Sequence, residues 1–165
     1  MNAFRWRYLW FVLVLLVVTT AAQAAVTIDL GYVDKTSAEY ARFKAWVDRA
    51  VEGSPGYAFS ATDAAFAWRL DGNTAYCQLA VQMVEQQVAE AEAEIAAGRR
   101  PPVSYDSYLE VGDKIRDVAL AYDWCAGFTS ASQRSRWAAY AEQAVWNVWH
   151  HEQAYALIIQ AELKE

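Results

Sequence analysis

The sequence predicts an all-α protein built from antiparallel helical hairpins. Apolar residues recur every three or four positions through most of the 165-residue chain, and its seven glycines and three prolines fall largely at short breaks between those stretches. The best strand candidate, residues 25–30, is too brief to compete. With 56% hydrophobic and 21% charged residues the composition excludes disordered, collagenous and low-complexity chains, and the length limits it to one ordinary domain.

The first segment reads as an address. Arg5 and Arg7 precede an apolar run from Tyr8 to Val18, and Ala21, Ala22, Gln23, Ala24 and Ala25 follow. That order is a secretory signal peptide, residues 1–24, with Ala22-Gln23-Ala24 as the cleavage motif and the cut after Ala24. The competing reading is an uncleaved membrane anchor, for which the strongly apolar part is short. Cleavage removes Arg5 and Arg7 and leaves twelve basic against twenty acidic side chains, a net charge of -8 in place of -6. A periplasmic or secreted product follows, with no membrane attachment after cleavage and no nucleic-acid partner, since phosphate recognition needs a basic surface.

Residues 25–165 are expected to form one helical domain. Tyr40, Phe43, Val47, Ala50 and Val51 give helical spacing over 37–52, with Thr36 or Ser37 as cap and Gly53 as stop. Ser54-Pro55-Gly56 breaks the chain, and a shorter helix over 61–70 carries Phe66 and Trp68 up to the turn Asp71-Gly72-Asn73. The third helix, 74–97, buries Tyr76, Ala80, Val84, Val88, Ala91 and Ile95, leaving Glu85, Glu90, Glu92 and Glu94 on its wet side. Arg99-Arg100-Pro101-Pro102 is a stiff connection. A fourth helix over 106–125 lines up Val111, Ile115, Val118, Tyr122 and Cys125, and Gly127 follows it. Ser130 and Gln133 form a capping box for the last helix, whose apolar residues are Trp137, Ala141, Ala144, Val145, Val148 and Trp149.

If the third and fourth helices pair antiparallel across the Pro-Pro turn, Cys77 and Cys125 stand level. A disulfide worth about 2 to 4 kcal/mol then becomes reasonable in an oxidising compartment. Two small buried hydrophobes is the alternative reading.

The search for chemistry gives few constellations. Asp106, Glu110, Asp113 and Asp117 share one side of the fourth helix, as paired carboxylates or as a solvated acidic face. Asp123, between Tyr122 and Trp124, suits a loop-orienting or capping role. His150 and His151 are the only histidines, and neighbours on a helix diverge too widely to ligate one ion, so neither metal nor cofactor is expected. Asn147, His151 and Tyr155 follow one another along the last helix and could bind a carboxyl group and move a proton, though groups stacked along one helix seldom converge on one atom. Catalytic-loop and phosphate-loop motifs are absent.

Ser107-Tyr108-Leu109-Glu110-Val111-Gly112, followed by Ile115-Arg116-Asp117-Val118-Ala119-Leu120-Ala121-Tyr122-Asp123-Trp124-Cys125, is similar to a helix of an (α/α) toroid. Thr129-Ser130-Ala131-Ser132-Gln133-Arg134 and Ala144-Val145-Trp146-Asn147-Val148-Trp149-His150 are similar to the two ends of its paired helix. Together, over residues 105–153, the chain resembles the heparinase II/III-like polysaccharide lyases and their alginate-lyase relatives. The resemblance implies an incomplete toroid, truncated to the N-terminal portion, and β-elimination on uronate-containing glycans. The catalytic Asn, His and Tyr of those lyases match no position here, so catalysis by this chain alone is not expected.

Three functions stay open: the N-terminal part of such a lyase, part of a toroid glycoside hydrolase, or a non-catalytic carbohydrate-binding or interaction module. In the last, Tyr108, Trp146 and Trp149 would stack on sugar rings, against the alternative that they pack in the core. An acidic glycan is the partner that the lyase reading implies, although the net charge of -8 opposes it unless Arg99, Arg100, Arg134 and Arg136 form a local basic groove. Truncation would also leave an apolar face on the last helix, open to self-association.

Overall fold

A computed structural model describes residues 27–99, 101 and 110–149, with side chains on the last helix up to Trp146. The expected signal peptide, residues 1–24, and Arg100, Asp106, Tyr108, His150, His151 and Tyr155 lie outside these residues, as do the side chains of Asn147, Val148 and Trp149. The protein is all-α: α1 (Ala38–Val51), α2 (Ala61–Asp71), α3 (Thr74–Ala96), α4 (Val111–Trp124) and α5 (Ala131–Trp149), with a 3-10 turn, Ala126–Phe128, between the last two. Among the described residues there is no strand, and no helix is long and apolar enough to cross a membrane.

The helix ends follow local chemistry. Ser37 caps α1 by accepting the Tyr40 backbone N–H at 3.1 Å. Gly72, in the left-handed conformation at φ 68°, closes α2, and Asn73 caps α3 by accepting the Ala75 N–H at 3.1 Å. Ser130 and Gln133 exchange reciprocal bonds at the start of α5, the Ser130 N–H to Gln133 Oε1 at 3.0 Å and the Gln133 N–H to Ser130 Oγ at 3.1 Å.

One continuous core joins α2, α3, α4 and α5. Ala61, Ala64 and Ala65 keep α2 slim enough to sit close to α3 and α4, and Val84, Val88, Val118, Ala121 and Trp137 fill the space between the longer helices. Cys77 at the start of α3 is bonded to Cys125 just past the end of α4, with Cα atoms 5.4 Å apart and both side chains fully buried. Ten residues further along α3 the Gln87 amide donates to the Lys114 carbonyl at 3.2 Å, so α3 and α4 run antiparallel. Val111 with Ala144 and Ile115 with Tyr140 make α4 and α5 antiparallel in turn. A much smaller cluster of Val47, Ala67 and Tyr76 seats α1 on α2 and α3.

Several sequence expectations are corrected. Val145, expected on the buried stripe of α5, is 47% exposed, and the neighbouring Ala144 is buried. Glu85 and Glu92, expected on the wet side of α3, are partly covered by α5. Arg136 of α5 reaches across to both carboxylates, its Nε 2.9 Å from Glu92, and the buried Trp137 donates its Nε1–H to Glu85 at 3.0 Å. The Glu85 carboxyl is penalised by burial, yet the bonds from Arg136 and Trp137 hold it below the usual glutamate value. A period of 3.6 places these glutamates opposite the valine stripe correctly but cannot foresee a fifth helix packing there.

Candidate cleft between α2, α3 and α4

The N-terminal end of α2, the middle of α3 and the first turns of α4 enclose an open cleft of about 460 Å³. Its apolar wall is Phe59 and Met83, and its polar wall carries Gln86, Gln87 and Glu90 from α3 and Glu110, Asp113, Lys114, Arg116 and Asp117 from α4. The size is that of a small-ligand site, and apolar surface with a few converging polar groups is the usual composition of one.

The acidic stripe of α4 thus divides by role. Asp117 accepts the Thr62 backbone N–H at 3.2 Å and its hydroxyl at 2.6 Å, so it satisfies a donor in the first turn of α2 that the helix itself leaves open. Arg116 donates to Asp113 at 2.8 Å and lies 3.5 Å from Asp117. Gln86 donates to Glu90 at 2.8 Å. Among the described residues Glu110 and Lys114 carry side-chain charges with no hydrogen-bond or ion-pair partner, which leaves one carboxylate and one ammonium group in the cleft for something else. The spacing of acidic residues identified the face; only the approach of α2 separates the capping carboxylate from the free one.

A second polar cluster escaped sequence reasoning. Lys44 of α1 donates to Asp48 at 2.7 Å and to the Tyr76 hydroxyl at 2.9 Å, and that hydroxyl donates to the other Asp48 oxygen. Nearby, Tyr40 donates to Asp71, and Lys35 donates to the Leu70 carbonyl. The i, i+4 pair Lys44 and Asp48 was visible in the sequence, but its third member was not, because Tyr76 belongs to the apolar stripe of α3. Burial pushes the Tyr76 phenol up, reinforced by Asp48, and burial with the Asp71 bond takes Tyr40 up to about 12. A tyrosine that removes protons at neutral pH needs the opposite shift. Tyr76 is moreover 1% exposed, so this cluster serves to dock α1.

Of the arginines expected to form a basic groove, Arg100 lies outside the described residues, and Arg99, Arg134 and Arg136 are committed within the protein. Arg99 pairs with both oxygens of Glu94, at 2.7 and 2.8 Å. Arg134 donates to the Thr129 carbonyl at 2.8 Å and to the Thr129 hydroxyl at 3.0 Å, holding the 3-10 turn against α5. Arg136 is shared between Glu85 and Glu92.

Of the remaining candidates, Trp146 is half-buried on α5 and Asp123 half-buried near the end of α4. Tyr108, His151 and Tyr155, with the side chains of Asn147 and Trp149, lie outside the described residues. No group of three or more His, Cys, Asp or Glu among the described residues is arranged to hold a metal ion. The chain matches no protein-family model, no curated protein and no solved structure.

Proposed function

We propose that the chain is an exported, lyase-related helical module that binds glycan without cleaving it, and that the cleft between α2, α3 and α4 is where a neutral oligosaccharide sits. The observation that carries this reading is the lining of that cleft, in which side-chain amides and carboxylates suited to sugar hydroxyls stand beside the apolar surface of Phe59 and Met83. A polyuronate fits it poorly. Glu90, Glu110, Asp113 and Asp117 outnumber Lys114 and Arg116 there, and Arg116 is already paired with Asp113 and Asp117.

The experiment is titration calorimetry of the mature protein with cellohexaose, mannohexaose and chitohexaose, and with an alginate hexamer as the charged control. Saturable binding of a neutral hexamer, with none of alginate and no unsaturated uronate formed, is the expected outcome. Tight binding of alginate, or absorbance from newly formed unsaturated uronate, would return the chain to the catalytic lyases. One observation favours hydrolysis as a second reading: Glu90 on α3 and Glu110 on α4 line the same cleft from different helices. Release of reducing ends by the protein, abolished in both Glu90→Gln and Glu110→Gln, would establish it in place of binding alone.

A further inference from the structure

We propose that Tyr57 is the stacking platform of this cleft, the surface on which one sugar ring of a bound neutral oligosaccharide rests; the inference builds on the glycan-binding reading above. Tyr57 is 99% exposed, the most exposed large apolar side chain among the described residues. It is not itself one of the lining residues, but it immediately precedes the four consecutive residues Ala58, Phe59, Ser60 and Ala61 that form one wall of the cleft. An isolated exposed aromatic is unremarked on most proteins, but the backbone around this one is held with unusual care.

The Phe59 N–H donates to the Gly56 carbonyl at 3.2 Å, closing a four-residue turn with Tyr57 and Ala58 at its tip. Ala58 lies at φ 57°, in the left-handed region that turns of this kind normally give to glycine or asparagine. Both flanks of the turn are clamped by one side chain. Trp46 packs edge-on against Phe59 with ring centroids 4.9 Å apart, and its indole lies so close to Gly56 that a Cβ there would be 2.1 Å from Nε1. The turn is therefore tightly constrained on both sides, while the tyrosine at its tip covers nothing in the protein. Such pre-organisation lowers the ordering cost of binding.

The chemistry of the neighbouring wall names the ligand. Aromatic faces take the C–H faces of sugar rings, while the amides and carboxylates of the cleft, Glu110 among them, take the hydroxyls. The cleft's four carboxylates outnumber its two cations, Lys114 and Arg116, which favours an uncharged glycan over a polyuronate.

The test compares wild type, Tyr57→Phe and Tyr57→Ala by calorimetry against cellohexaose, mannohexaose and chitohexaose, with thermal melting of each protein as a check on folding. Stacking predicts that Tyr57→Phe binds within about 2-fold of wild type and that Tyr57→Ala binds about 10-fold more weakly or worse, at unchanged melting temperature. Equal affinity of Tyr57→Ala and wild type would overturn the platform and leave the cleft as the binding site. Loss in Tyr57→Phe as large as in Tyr57→Ala would replace stacking with a hydroxyl hydrogen bond and overturn it as well. If wild type binds none of the three sugars, the platform falls together with the reading on which it rests.

Discussion

The body formed by α2 to α5 and the outlying α1 are both helical, yet they are held by different forces. In the body, Val84, Val88, Val118 and Trp137 share one core with a disulfide bolted through it. By contrast, α1 buries only Val47 and Ala50 and is moored by hydrogen bonds from Lys44 and to Asp48 that both end on Tyr76. Apolar burial scales with area, whereas a polar contact at a half-exposed site adds little net energy. The difference teaches that the chain has a stable scaffold and a less stable arm, and the turn carrying Tyr57 follows directly from the arm. Local opening should begin there.

The largest expected effect breaks the scaffold. Trp137→Ala empties a fully buried site and strips Glu85 of a donor, and a loss of about 3 to 5 kcal/mol is expected by denaturant melting. Next, the double variant Cys77→Ser with Cys125→Ser releases the tie between α3 and α4. Its cost of about 2 to 4 kcal/mol should appear as a lower midpoint with the transition still affecting the body as a whole. Tyr76→Phe targets the arm and should cost about 1 to 2 kcal/mol. Hydrogen exchange should then quicken in α1 while α3 and α4 stay protected. Equal quickening in all helices would show that arm and scaffold unfold as one.

Acid probes both regions at once. Asp48 in the arm is held below its ordinary 3.8 by the bonds from Lys44 and Tyr76, and Glu85 in the scaffold is held below 4.5 by Arg136 and Trp137 despite its burial. A depressed carboxyl gives its full stabilisation above the unfolded value and loses it as the pH falls through the folded one. The melting temperature should therefore decline below about pH 4.5, and Glu85→Gln should flatten the upper part of that decline. At the alkaline end Tyr40, up at about 12 against an ordinary 10.0, stabilises α1 fully below pH 10.0 and loses that contribution as the pH rises toward 12. The smallest effect is Tyr57→Ala, which should shift stability by less than about 0.5 kcal/mol because the side chain contacts only solvent.

Much of the fold was legible in the sequence because its signals are local. The Ser37 cap, the Gly72 stop and the Ser130–Gln133 box each depend on residues within four positions of one another, and all three formed where their chemistry placed them. The valine and alanine stripe of α3 is equally local, a consequence of 3.6 residues per turn. The cleft was only half legible. Glu110, Asp113 and Asp117 marked a face of α4, but spacing along one helix says nothing of what approaches it, so the capping of α2 by Asp117 stayed hidden.

The sequence by itself determined the helical class, the boundaries of most helices and most of the inward stripe of α3, because periodicity and end-capping act within a turn or two of chain. Only the tertiary structure decided which polar residues meet. The pairing of Arg136 with Glu85 and Glu92, the Lys44–Asp48–Tyr76 mooring, the union of Cys77 with Cys125 and the cleft beside Tyr57 all join residues far apart in the chain. Their partners are set by the packing of helix faces, a property of the assembled core that no local pattern contains.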